Sequence, residues 1–164
     1  MVGQVRDEDL DARLLGADRL YAVSTGTSTE PVHTRDTVVL IDADEVSWSS
    51  WNRWAAALAE ETGAGTVAVS DGGITGPAFF DHVRRLRRPV VNCPKGQTTP
   101  VPADLVARPI TRPAPYWTWS LVSRRNERRP AVRALVAALT RSVDGCGLDN
   151  PDAWLPPDDP YRVT

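Results

Sequence analysis

Two apolar periods alternate along this chain, one of a strand and one of a helix. "TVVLIDAD", residues 37–44, is a short block of β-branched and aliphatic residues bounded by charge, which predicts a buried strand. The "DADE" that closes it predicts a strand-to-helix loop. Trp48, Trp51, Ala55, Leu58 and Ala59 then recur at helical spacing. A serine at 47, 49 or 50 is the expected acceptor for the free N–H groups of the first turn, and Gly63 the expected stop. "TVAVS", residues 66–70, predicts a second strand, and "DGG" after it a tight turn. Pro77 opens a helix with Phe79, Phe80, Val83 and Leu86 on one side, broken by Pro89. "VVNC", "DLVARPI" and "WTWSLVS" predict further strands, the first two separated by the proline-marked loop "PKGQTTPVP". The last helix opens at Pro130, with Val132, Leu135, Val136 and Leu139 at i, i+3, i+4 and i+7. Its narrow aliphatic face is expected to turn inward, leaving Arg133 outside. "VRDEDLDARLLGADRLYAVSTG" reads as an acidic, irregular lead-in followed by a strand around Arg19 to Ser24. The tail reads as loose chain in which Trp154 or Leu155 docks. Strands alternating with helices predict an α/β fold with a mostly parallel sheet covered on both faces.

One stretch invites other readings. "RPAPYWTWSLVSRRNERRPAVRALVAAL", residues 112–139, sets aromatics beside an arginine cluster and an apolar-striped helix, as a nucleic-acid or membrane surface could. The period decides against both. Trp117, Trp119, Leu121 and Ser123 alternate with Thr118, Ser120 and Val122, so the aromatics share one face of a strand. Arg124, Arg125, Arg128 and Arg129 fall in the turn and helix start, so cations and rings do not interleave on one face. The helix also lacks the bulky apolar and broad basic faces of a membrane-surface helix. A core strand with its packing helix is expected.

Composition narrows the class. With 164 residues, 41% hydrophobic and 24% charged, the chain is that of a soluble globular protein. No apolar run is long enough for a bilayer, and "MVGQVRDEDLDARLL" lacks the regions of a secretory signal, so a cytoplasmic location is expected. Cys93 and Cys146 are expected as free thiols. His33 and His82 stand in no metal-type spacing, so neither a metal nor a cofactor is expected. The net charge of −2 hides an asymmetry: 13 acids and 5 bases over residues 1–80, a net −8, against 8 acids and 14 bases over 81–164, a net +6. The arginine runs 84–88 and 124–129 are expected as solvated helix ends paired with the acidic half. With pI near 5.7 and no helix-turn-helix pattern, direct DNA binding by this chain is not expected.

The run "LVARPITRPAPYWTWSLVSRRNERRPAVRALVAAL" resembles the C-terminal part of the effector-binding domain of LysR-type transcriptional regulators. That family ends on an aliphatic strand with a proline, an aromatic-rich strand, and a helix opened by arginine, a polar residue, proline and alanine. "ARLLGADRLYAVST" resembles its strand leading to the hinge, and "TVVLIDAD" with "SWSSWNRW" its second-lobe strand and helix. "VAVSDGGITGPAFFDHVRRLRRPVVNCPKG" resembles the strand, helix, strand and proline that follow. The likeness covers roughly residues 10–142. It implies a three-layer, periplasmic-binding-protein-like lobe plus part of a second lobe. Residues 1–142 would form a truncated effector-binding domain, with 35–105 as second lobe, 10–34 and 106–142 as the rest of the first, and 143–164 as a Pro/Asp-rich tail. Absent first-lobe elements would leave sheet edge and apolar helix surface exposed, which predicts pairing.

The resemblance implies a small-molecule effector held between lobes, and partners that are a second copy or a full-length regulator. Ligands of such sensors meet loops at strand carboxyl ends and helix N-termini. The matching positions are Ser47, Trp48, Ser49, Ser50, Asp71, Gly72 and Gly73. The bland alternative makes the serines helix caps, "DGG" a plain turn, and Trp48 and Trp51 core. The acidic "DADE" opposes an anionic effector and allows a cationic, neutral or aromatic one. Two other function classes compete: a ligand-free interaction module, and a small enzyme using Asp81 and His82 as an acid–base pair. His82 is expected on the helix surface, and Asp42, Asp44 and Glu45 are expected as solvated loop acids. No nucleophile context or phosphate-binding loop is present, so an enzyme is not expected.

Overall fold

The computed structural model describes residues 7–95, 98–141, 143 and 146–162. Parts of the expected lead-in, the loop after "VVNC" and the tail fall at 1–6, 96–97, 142, 144–145 and 163–164, outside the described residues. The chain forms two compact units, one of residues 19–115 and one of residues 1–18 with 116–164.

The unit of residues 19–115 is built on a six-stranded sheet. Its strands are β2 (Tyr21–Thr25), β3 (Val32–His33), β4 (Val38–Asp42), β5 (Gly65–Val69), β6 (Val90–Val91) and β7 (Leu105–Thr111), in the order β3-β7-β2-β6-β4-β5. β4 runs parallel to β5, in register from Val38↔Gly65 to Asp42↔Val69, and parallel to β6 at Val38↔Val90. β3 is parallel to β7, whereas β2 runs antiparallel to both its neighbours. The sheet is therefore mostly parallel, with β2 the reversed strand. Helix α1 (Glu45–Thr62) connects β4 to β5, and α2 (Gly76–Leu86) connects β5 back across β4 to β6. The two crossovers step in opposite directions, so their common right hand places α1 and α2 on opposite faces.

Burial on both faces explains the continuous apolar run of β4, where Val38, Val39 and Leu40 are all in the core. From α1 come Trp51, Trp54, Ala55 and Leu58, the i, i+3, i+4, i+7 stripe of a buried helix face. Trp51 stacks on Trp54 with centroids 4.9 Å apart, and its indole N–H donates to the Leu40 carbonyl at 2.7 Å. The ring thus brings a large apolar area inside while its polar tip stays satisfied. From α2, Phe79, Phe80 and Val83 fill the other face, while Leu86 in the last turn is only half-buried.

The second unit holds a three-stranded sheet in the order β1-β8-β9, from β1 (Leu10–Arg19), β8 (Ala114–Arg124) and β9 (Ala153–Trp154), with helix α3 (Pro130–Thr140). The lead-in is therefore not irregular: residues 10–19 form a strand in which Leu10, Ala12 and Leu14 alternate with Asp11 and Arg13 until Leu15 breaks the period. Pairing with β8 supplies what local pattern does not. Trp117 is fully buried, and Trp119 meets it edge-on at 6.3 Å while donating to Asp18 Oδ2 at 2.6 Å. The tail does more than dock Trp154 and Leu155. Thr118 donates to Asp159 Oδ2 at 2.8 Å, and the Ser120 and Tyr161 hydroxyls lie 3.2 Å apart. Gly147 sits at φ 78°, where an added Cβ would stand 2.7 Å from the Tyr116 hydroxyl, so the close approach of tail to strand requires glycine there.

Helix α3 departs from expectation. None of its residues is buried, and Leu135 and Leu139 are 58% and 46% exposed. Its stripe alternates with Ala134, Ala137 and Ala138, so each turn offers little apolar area to hold it down. No helix among the described residues is long and apolar enough to cross a membrane.

Candidate functional site

Asp42 closes β4 and is 7% exposed, not the solvated loop acid expected from sequence. Asn52, two turns into α1, clamps its backbone: Oδ1 accepts the Asp42 N–H at 3.1 Å, and Nδ2 donates to the Asp42 carbonyl at 2.8 Å. Oδ1 of Asp42 accepts the Asp44 N–H at 2.8 Å. Its Oδ2 is buried and has no partner among the described residues. Asp44, and not a serine, caps α1, accepting from the N–H groups of Val46 at 3.1 Å and Ser47 at 3.2 Å. A carboxylate at this position satisfies the same donors as a serine hydroxyl and adds a favourable charge against the helix dipole, which is why it takes the cap. Hydrogen bonds from the Ser47 side chain and backbone, then from Val46, hold the Asp44 carboxyl below its ordinary range. Glu45 is exposed, as expected.

Across the crevice stands the loop after β6. Lys95 Nζ donates to the Ser47 carbonyl at 3.1 Å and lies 5.2 Å from the centre of the half-buried Trp48 ring. Asn92 ties the base of this loop to β2, its N–H to the Tyr21 carbonyl at 2.9 Å and its Nδ2 to the Tyr21 hydroxyl at 2.6 Å. Cys93 is buried, and burial pushes its thiol up to about 12, so it is no nucleophile at neutral pH. Both cysteines are free. β4 and β6 are parallel neighbours, but the chain leaves β4 toward β5 and β6 toward β7. The crevice outside their carboxyl ends is thus a topological switch point, the usual ligand position in open α/β sheets.

The turn after β5 stands beside it, linked through the Ala43 N–H on the Val69 carbonyl at 2.9 Å. Asp71 Oδ1 accepts the Gly73 N–H at 3.0 Å and lies 3.0 Å from His82 Nε2. His82 is therefore not a surface residue. It is buried, because its ring closes the underside of this turn, while Asp81 pairs with Arg84 at 2.9 Å. The His82 hydrogen bond is the main cause holding the Asp71 carboxyl below its ordinary range. Gly73 allows this contact: an added Cβ would stand 2.6 Å from His82 Cδ2 and 2.7 Å from Asp71 Oδ1. Gly72 turns at φ 70°.

Of the sequence-chosen residues, Ser47 and Trp48 meet Lys95 at the first turn of α1, and Asp71, Gly72 and Gly73 form the turn after β5. Ser50 is half-buried, and Ser49 lies on the exposed side of α1, one turn before exposed Arg53. Asp42, Asn52, Lys95 and His82 were not among them. Asn52 could have been found from its position one helical turn after Trp48, and Lys95 as the one lysine of the chain. Among the described residues the ion pairs of the arginine runs lie within the basic half: Arg84 bonds Asp81 and Asp104, and Arg129 bonds Glu127. Among the described residues no cluster of three His, Cys, Asp or Glu side chains could hold a metal ion.

No family model matches this chain, and no curated protein matches it either. Solved structures do. The reduced regulatory domain of OxyR from Pseudomonas aeruginosa is 14% identical with a TM-score of 0.58, over 86% of this chain and 70% of that one. The BenM effector-binding domain with its effector benzoate is 12% identical with a TM-score of 0.61, over 85% and 66%. The CcmR regulatory domain of Synechocystis in complex with 2-PG is 10% identical with a TM-score of 0.54, over 88% and 72%. Against full-length OxyR C199D the chain spans 47% of the length. The fold of this chain is the periplasmic-binding-protein-like α/β fold of the effector-binding domains of LysR-type regulators.

Proposed function

We propose that the chain is the small-molecule-sensing regulatory domain of a LysR-type transcriptional regulator, working in the cytoplasm. The effector contacts the unit of residues 19–115 at the carboxyl ends of β4, β5 and β6. One observation carries this reading: the first turn of α1, the Asp71–Gly73 turn and Lys95 converge at one edge of a sheet packed on both sides. Rigid elements with polar groups at such an edge are suited to fixing a ligand's orientation. BenM with benzoate and CcmR with 2-PG, which share the fold, support the sensing role. A ligand favouring one arrangement of these loops shifts the population toward it, and that shift is the signal.

The exposed Leu135 and Leu139 of α3 favour a second reading, an interaction module that pairs with a second copy or with a full-length regulator. A thermal-shift screen of metabolites, run beside light scattering on the full chain, separates the two. A ligand that binds only the folded state adds about 2.7 kcal/mol of stability at a hundred times its Kd. Stabilisation by one ligand class supports sensing. No response from any class, with a dimer that dissociates when Leu135 is made polar, sinks sensing and leaves the interaction module.

A further inference from the structure

We propose that the groove between α3 and the ends of β1 and β8 is a second ligand site, for a small organic anion with a carboxylate or phosphate head on an apolar body. It lies wholly within the unit of residues 1–18 and 116–164, so it stands or falls apart from the sensing role of the other unit. Its volume is about 620 Å³, within the range of small-molecule sites. β1 contributes Asp11 and Arg13, the end of β8 Ser123 and Arg124, the turn after it Arg125 and Glu127, and α3 its first two turns.

The first support is charge. Four arginines and two carboxylates line the groove, and both carboxylates are already engaged. Asp11 accepts from Arg13 Nε at 3.0 Å, and Glu127 accepts from the Arg129 guanidinium at 2.9 and 2.6 Å. Arg124, Arg125 and Arg133 have no carboxylate partner among the described residues. Like charges lining one groove repel each other. An anion relieves that repulsion and accepts charge-assisted hydrogen bonds from planar, forked donors. The Arg125 backbone is fixed as well, its N–H donating to the Asp9 carbonyl at 2.7 Å, so this guanidinium springs from a rigid strand end.

The second support is the wall that α3 presents. Val136 is half-buried there, and Ala134 and Ala137 are too short to close the space between helix and strands. The groove thus stands where a helix of larger side chains would pack, and no residue of α3 is buried. An inorganic ion would engage the arginines and leave this wall bare, whereas an organic body covers it. Such a ligand joins Arg133 on α3 to Arg124 and Arg125 on the strand side, and so ties down a helix that the protein's own contacts hold weakly.

The test uses the full chain with phenyl phosphate and phthalate as organic anions, inorganic phosphate as the bare ion, and benzylamine as the opposite charge. Affinity is read by calorimetry and the place of binding by hydrogen exchange. At least one organic anion is expected to bind about tenfold or more tighter than inorganic phosphate, with benzylamine inert, and the tighter of the two names the head group. At a hundred times its Kd it should slow exchange of the α3 amides by up to about a hundredfold and leave α1 unchanged. R133Q and A137F should each weaken binding by about tenfold or more, one by removing a charge and the other by filling the groove. Both change exposed positions, so the fold is kept. R53Q on the exposed side of α1 lowers the net charge equally and should change nothing. Equal affinity in wild type, R133Q and A137F overturns the proposal, as does an equal loss in R53Q and R133Q. Equal binding of inorganic phosphate or benzylamine, or no organic-anion binding at millimolar concentration, overturns it too. Protection confined to α1 does the same while leaving the sensing role standing.

Discussion

Helices α1 and α3 carry the same apolar spacing and end in opposite situations. α1 buries two tryptophans, an alanine and a leucine, begins on the Asp44 carboxylate, and stops at Gly63 in the left-handed region at φ 76°. α3 buries none of its residues, has no side-chain cap at Arg129, and ends on Arg141 in a right-handed helical conformation. A period of 3.6 says that a helix has an apolar side; it does not say what covers that side. The size of the side chains decides how firmly it is held. Trp51 and Trp54 each bury far more area than the valines of α3, so α1 is fixed to its sheet and can present its first turn in a definite place.

The contrast can be broken most directly by truncation. Trp51→Ala should cost about 3–5 kcal/mol in urea unfolding, whereas Leu135→Ala should stay within about 0.5 kcal/mol. Comparable losses would mean that α3 is packed in solution. A smaller effect is expected at the turn beside the crevice. Gly73→Ala forces a methyl against the buried His82 ring and should cost about 1–3 kcal/mol, with a chemical-shift change at the imidazole. An unchanged ring signal would show that the turn gives way instead.

Acid sharpens the comparison further. Asp44 and Asp71 both titrate below their ordinary 3.8 in the folded protein, so their charged forms contribute stability that is complete above that value. That contribution is lost as pH falls below 3.8 through the lower folded values, because the folded state must then take up protons its contacts resist. Asp44→Asn should flatten this part of the Tm–pH curve, and an unaltered slope would remove Asp44 as its source. Before α3 the matching group is Glu127, held down to about 2 from 4.5 by hydrogen bonds from the Arg129 side chain and backbone. Its contribution is therefore lost as pH falls from 4.5 through about 2. The smallest stability effect is expected for Leu135→Glu with Leu139→Glu, whose readout is association by light scattering. A dimer that survives both charges would place the contact elsewhere.

Much of the fold was legible in the sequence because it rests on local pattern. β4, α1, β5, α2 and β8 stand close to where periodicity and the marks at Gly63 and Pro77 put them. β1 was legible only through the resemblance, since its alternation of Leu10, Ala12 and Leu14 with Asp11 and Arg13 breaks at Leu15 and its pairing with β8 spans most of the chain. The crevice was legible in half. Ser47 and Trp48 could be chosen as first-turn residues after a strand, but the burial of Asp42 and His82 depends on which loops meet at the sheet edge. An aspartate after a strand looks the same in sequence whether Asn52 grips it or water does. Lys95 posed the same difficulty, being some fifty residues from the carbonyl it bonds.

That lysine also gives the molecule a chemical address. Every other basic side chain apart from two histidines is an arginine, so Lys95 Nζ is the single side-chain primary amine in the sequence. An amine-selective fluorophore, with the α-amino group blocked, would therefore sit at the lip of the crevice and nowhere else. Its quenching by Trp48 would report, molecule by molecule, whether the lip is engaged or swung away.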